Sequence, residues 1–247
     1  MIDSANIEGI PGLQRLARLA GVLYLIIIVC GMFAQGAVRE TMLIVGQPEA
    51  TVRNVLEGAF LFRLGILADL VMIIADVLIG IAFFVILRSV NESLSLLSAF
   101  FRLAQATVLG LNLILPWIAL QLISASGESG VPGVSVTQNE GNLAYQLLMA
   151  HGMGYKIALV FFACSLLVQA YLFFKTDLFP NWLAYLLVVA AAGYLVDTVA
   201  TVAMADYETY ANIFESLVVI SALGGELTLC LYLLIRGVSS LSGNLQS

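Results

Sequence analysis

Apolar residues along the chain gather into long runs parted by short polar stretches, near 15–36, 58–88, 93–123, 146–174, 181–204 and 213–236. Each run reaches or exceeds the roughly 20 residues needed to cross about 30 Å of hydrocarbon. A chain of 247 residues cannot bury so many such runs in one soluble core. The pattern predicts an all-α fold, a polytopic transmembrane bundle of six spans. Several runs are longer than the minimum, so their helices tilt or project beyond the bilayer.

The polar stretches set the organisation. Residues 1–14 and 238–247 read as terminal tails around one membrane domain, 15–237. From Arg39 to Glu57, charged residues mix with Met42, Leu43, Ile44, Val52 and Leu56, which predicts a short interfacial helix interrupted at Gly46 and Pro48. Ser124 to Asn142 is rich in Gly, Ser, Asn and Gln, contains Pro132, and reads as a solvated loop. Arg15, Arg18, Arg88, Lys175 and Arg236 fall at one set of span ends, and only Arg39 and Arg53 at the other. Because Lys and Arg are retained in the cytoplasm, both termini are expected inside, in the cell (inner) membrane. Arg15 and Arg18, then Leu19 to Phe33, then Ala34 and Gly36 also have the outline of a cleavable leader. The length of the apolar stretch, with Asp3 and Glu8 before it, speaks against that reading.

Composition narrows the function classes. Apolar residues make up 61% and charged residues 11%, far from the balance of a soluble domain. The net charge is −6 and no run of Lys or Arg occurs, so nucleic acid is not an expected partner. Cys30, Cys164 and Cys230 all lie within apolar runs and read as packing residues rather than a disulfide framework. The single histidine has no Cys or second His at ligand spacing, so no metal is expected, and no motif calls for a cofactor. Membrane lipid is the expected surrounding partner, and a small-molecule or lipid ligand and a homo-oligomer are both compatible with the sequence.

Ionisable residues inside spans cost about 2.5–3.5 kcal/mol each on insertion scales, so they pair or face a cavity. Here they are Arg63, Asp69 and Asp76 on the second span, Arg102 on the third, His151 and Lys156 on the fourth, Asp197 on the fifth and Glu226 on the sixth. The short turn Ser89–Glu92 makes the second and third spans antiparallel neighbours, so residues of equal depth sum to about 181. Asp76 then faces Gln105 and Asp69 faces Asn112, each set spaced i, i+7 along one helix face, with Arg102 a turn from Gln105. Asp76–Arg102 is the first expected ion pair. The same rule across Lys175 to Pro180 brings Asp197 within about half a turn of Lys156, the second expected pair. Glu226 is left near mid-membrane without a cation at its depth. His151, Tyr155, Lys156, Tyr194, Asp197, Arg63 and Asn112 fall in the outer half, as a polar cavity opening outward requires.

Each feature also has a bland reading. Ion pairs glue helices that lack a hydrophobic drive to associate, Glu226 can hydrogen-bond a neighbouring Ser or Tyr, and His151 can be structural or interfacial. Gly152 and Gly154, and Gly224 and Gly225, read as close-packing points. GILADLV at 65–71 and GYLVDTV at 193–199 share four letters in register, but the unequal depths of Asp69 and Asp197 argue against an inverted repeat.

RLARLAGVLYLIIIVCGMF, LFRLGILADLVMIIADV, SLSLLSAFFRLAQATVLGLNL, HGMGYKIALVFF, GYLVDTVA and the late GGELTLCLYLLIRGV together resemble the prokaryotic membrane family known as domain of unknown function 4386, from Arg15 to Gly237. The resemblance implies a bacterial or archaeal membrane bundle and brings no activity, so the catalytic residues remain unknown. Three functions stay open. One is a carrier that binds or moves a small solute, ion or lipid, with Glu226 or the Asp197–Lys156 pair linked to protonation. Another is a noncatalytic accessory or sensor protein. The last, an intramembrane enzyme acting on lipid, ranks lower for want of HExxH, paired histidines or GxSxG.

Overall fold

The computed structural model describes residues 5–127 and 137–238. Among them are six helices long and apolar enough to cross a membrane: Gly12–Met42, Ala59–Leu87, Glu92–Ser124, Gln138–Phe174, Asn181–Ala203 and Thr209–Ile235. No strand occurs among the described residues. The protein is an all-helical integral membrane protein of six candidate spans, numbered here in chain order.

Three boundaries differ from the sequence expectation. The first span runs on to Met42, because Ala37 to Met42 contain no helix breaker. It stops where Leu43 turns extended, and the chain reverses at Gly46, which takes φ 76°, a left-handed value open to glycine. Pro48 does not interrupt the helix that follows but opens it: Pro48–Glu57 starts with proline in the first turn, where its missing N–H has no bond to lose. The fourth span begins at Gln138 and not near 146, since Thr137 accepts the Glu140 N–H while Glu140 receives the Thr137 N–H and hydroxyl, a reciprocal cap. The middle of the connection expected over Ser124–Asn142 lies outside the described residues, as do 1–4 and 239–247 of the terminal tails; the rest of the expected N-terminal tail is helical, since the first helix begins at Ala5.

The chain divides into two compact units, and the first four spans contribute segments to both. The first unit holds Met1–Ile26, Ala75–Ala106 and Ala158–Ser247. Small residues let its helices approach closely, as lipid-embedded bundles require. A Cβ on Gly21 would lie 2.9 Å from Leu234, and one on Gly225 would lie 2.7 Å from that of Ala190. The Cys230 thiol donates to the Gly21 carbonyl at 3.4 Å. Ser98 and Ser165 cross-bond, each hydroxyl within donating reach of the other's carbonyl, at 3.2 and 2.9 Å, and the two hydroxyl oxygens 2.9 Å apart. Phe173 stacks on Phe179 at 4.0 Å between ring centres. All three cysteines are free.

The second unit holds Ile27–Ile74 and Thr107–Ile157. Its core packs Val38, Met42, Val55, Phe62, Leu120 and Leu148. The bend after Met42 is tied down by polar side chains: Tyr145 accepts the Gly46 N–H at 2.8 Å, Thr51 accepts the Ile44 N–H at 3.0 Å, and Asn54 donates to the Met42 carbonyl at 3.2 Å. Tyr145→Phe orphans the Gly46 amide and should cost about 1 kcal/mol, read as an earlier midpoint in a detergent denaturation titration.

Candidate functional site

Two of the candidate helices change winding where they carry a buried charge. The first span passes through a π-helical segment, Phe33–Arg39, and the sixth through another, Ala222–Leu227, which contains Glu226. A π segment closes i→i+5 hydrogen bonds, so it inserts an extra residue and re-aims the side chains beyond it. Gly224 and Gly225 in the second of these ease the local crowding of backbone. Gly225 is a close-packing point as expected, and so is Gly154, whose Cβ would run into the Asn112 amide. Gly152 and Gly224 are not: a Cβ on either meets nothing within 4 Å, because both face away from neighbouring helices.

In the first unit the centre is Arg102, 1% exposed. Its Nη1 donates to Asp76 Oδ1 at 2.6 Å, so the ion pair expected from the short turn between the second and third spans is present. Nη2 donates to the Tyr24 hydroxyl at 2.7 Å. The guanidinium carbon lies 5.0 Å from the Phe162 ring centre and 5.1 Å from that of Tyr24, within cation–π range. Gly80, one turn beyond Asp76, leaves room for the arginine stem, since a Cβ there would sit 3.4 Å from that of Arg102. Glu226 accepts a hydrogen bond from Tyr194, whose ring packs 5.5 Å from that of Phe162. One turn from Tyr194, Asp197 accepts the Tyr207 hydroxyl at 2.7 Å. Asp76 Oδ2, Arg102 Nε and Gln105 Oε1 are buried with no hydrogen-bond partner.

In the second unit Asp69, expected opposite Asn112, takes Arg39 in a two-pronged bridge, Nη1 to Oδ2 at 2.6 Å and Nη2 to Oδ1 at 3.1 Å. Arg39 Nε also donates to Gln35 Oε1 at 3.0 Å. The sequence reading placed Arg39 outside the membrane. The signal against that was the unbroken helix-forming run up to Gly46. Asn112 is taken instead by His151: its amide donates to the His151 carbonyl at 2.8 Å and lies 2.9 Å from Nδ1. Pro116 explains the place, because it lacks the N–H that would bond the Asn112 carbonyl four residues back. The helix breaks at Leu113, and His151 Nδ1 comes within 3.3 Å of that freed carbonyl. His151 is buried, on a helix that begins three turns earlier, and its Nε2 has no partner. Tyr155 packs edge-on to His151 and points its hydroxyl at the Met72 sulfur, 3.9 Å away.

Arg63 departs from expectation: its side chain is exposed, not part of a polar core. Six residues from Asp69 is about 120° around a helix from the face shared by Asp69 and Asp76. Lys156 is half-buried in the second unit, and Asp197 belongs to the first.

A family model described as domain of unknown function (DUF4386) matches residues 19–237. The chain belongs to this family. The DUF4386 match takes in both π-helical segments, both buried ion pairs and the Tyr194–Glu226 contact. No curated protein and no solved structure matches the chain.

Proposed function

We propose that the protein binds a small polar solute or ion within its membrane domain and carries it across, with Arg102 as the anchoring cation and Glu226 as the group that exchanges a proton during the cycle. The supporting observation is the surplus hydrogen-bonding capacity around one ion pair, at Asp76 Oδ2, Arg102 Nε and Gln105 Oε1. A pair that only holds helices together is best fully satisfied, because each orphaned buried polar atom costs about 1–3 kcal/mol. Unfilled donors and acceptors beside a buried cation are what a small polar ligand occupies. Ionisable groups at this depth mark ion and substrate paths in other bundles. Glu226 suits the proton role: its Oε1 is contacted by a phenol, which can reorient, rather than clamped by a guanidinium.

The same reading puts the protein in the inner membrane of a prokaryotic cell with both termini cytoplasmic, on the placing of Arg15, Arg18, Arg88, Lys175 and Arg236 at span ends. Infrared difference spectra between mildly acidic and mildly alkaline buffer test the proton role. The wild type should show a buried carboxylic-acid C=O band that Glu226→Gln removes while the helical amide bands stay unchanged. A spectrum indifferent to that substitution sinks the proposal and leaves the charges as helix-holding pairs of an accessory protein.

A further inference from the structure

A cleft of about 420 Å³ opens in the second unit between the second and third spans, within the size range of ligand sites. Its lining is apolar apart from one charge, Arg63. By the antiparallel register of these helices, Arg63 stands level with Trp117, Leu67 with Ile114, and Leu70 close to Gly110. The cleft therefore has a graded lining: a guanidinium and an amphipathic indole at one end, aliphatic side chains over the next two turns, and a glycine at the other. From Arg63 to Leu70 is about 10 Å along the helix. Leu67, Leu70, Ile114 and Trp117 are 55%, 44%, 50% and 48% exposed, so the cleft lies on the surface that the apolar sequence turns towards lipid. Arg63 forms no ion pair among the described residues and no acidic side chain lines the cleft. It sits four residues into the helix that starts at Ala59, about 6 Å from its end, where a long side chain reaches headgroup level.

We propose that this cleft binds one anionic phospholipid, its phosphate held by Arg63 and one acyl chain laid along Leu67, Leu70 and Ile114 into the gap left by Gly110. Guanidinium matches phosphate oxygens in two-pronged geometry, and its charge prefers a headgroup with net negative charge to a zwitterionic one. A free phosphate would leave the aliphatic lining unused. A neutral hydrocarbon would leave Arg63 without a counter-charge.

Native mass spectrometry of the purified full chain, titrated with phosphatidylglycerol or phosphatidylcholine in mild detergent, tests it. The wild type should bind one phosphatidylglycerol about tenfold more tightly than phosphatidylcholine, the worth of one charge-assisted contact. Arg63→Gln should bring the two lipids to parity. Gly110→Leu should abolish tight binding of both without moving the melting temperature in detergent, because a Cβ at Gly110 meets nothing within 4 Å and the leucine would enter the cleft. Equal affinity for the two lipids in the wild type, a preference that survives Arg63→Gln, or binding that survives Gly110→Leu would each overturn the proposal. Competition by inorganic phosphate alone would overturn it too, by showing that no chain is needed.

Discussion

Arg102→Met should lower the stability of the folded protein by about 3–5 kcal/mol, the usual result of stripping one partner from a buried pair. Asp76 is 3% exposed and its only described bond is to Arg102, so the substitution leaves a carboxylate among apolar side chains with no cation and no donor. The Tyr24 hydroxyl loses its partner at the same time. Arg102→Lys should fall between wild type and Arg102→Met, because an ammonium cannot keep the Asp76 and Tyr24 contacts in the fixed fork geometry of a guanidinium. The double variant Asp76→Leu, Arg102→Met should recover most of the loss, since replacing both partners by apolar groups of similar volume removes the stranded charge. Denaturation in mixed micelles measures the three variants. Thiol labelling localises the effect: Cys164 and Cys230, both in the first unit, should react faster in Arg102→Met. If the double variant is as unstable as Arg102→Met, the pair contributes through packing and not through charge.

Asp69→Leu should produce a loss of similar size, about 3–5 kcal/mol, in the second unit. Arg39 is 7% exposed and loses both prongs of its bridge, retaining only its Nε bond to Gln35. A guanidinium does not shed its proton, so it has no neutral form to fall back on. The mirror variant, Arg39→Met, strands the Asp69 carboxylate as Arg102→Met strands that of Asp76, and should cost a similar amount. The reporter here is Cys30, the cysteine of the second unit, whose labelling should accelerate in Asp69→Leu. An Asp69→Leu variant as stable as the wild type would show that Arg39 does not need this carboxylate to stay buried.

These two pairs were unequally legible. Asp76–Arg102 could be read from the chain because its helices are joined by a tight turn, which ties depth to residue number. Arg39–Asp69 could not, because a π-helical segment moves Arg39 off the face that regular 3.6-residue spacing assigns it, and no local signal announces such a segment. Arg63 shows the opposite error. A helix apolar on every side presents no moment to tell inside from outside, so a charge on it looks buried until the neighbours are placed. Pro116 was visible, but the effect of the carbonyl it frees depends on which side chain of a neighbouring helix comes to meet it.

By itself the sequence determined the class of the protein, its six spans and one ion pair, because hydrocarbon thickness and turn length act on contiguous residues. Only the tertiary structure decided which partner each remaining buried group takes. Arg39 finds Asp69 30 residues away, Glu226 finds Tyr194 across 32, and Asn112 finds His151 across 39. Those partnerships depend on how helices rotate about their own axes when they pack, and in an apolar bundle that rotation is set by small residues such as Gly154 and Gly225 meeting particular neighbours.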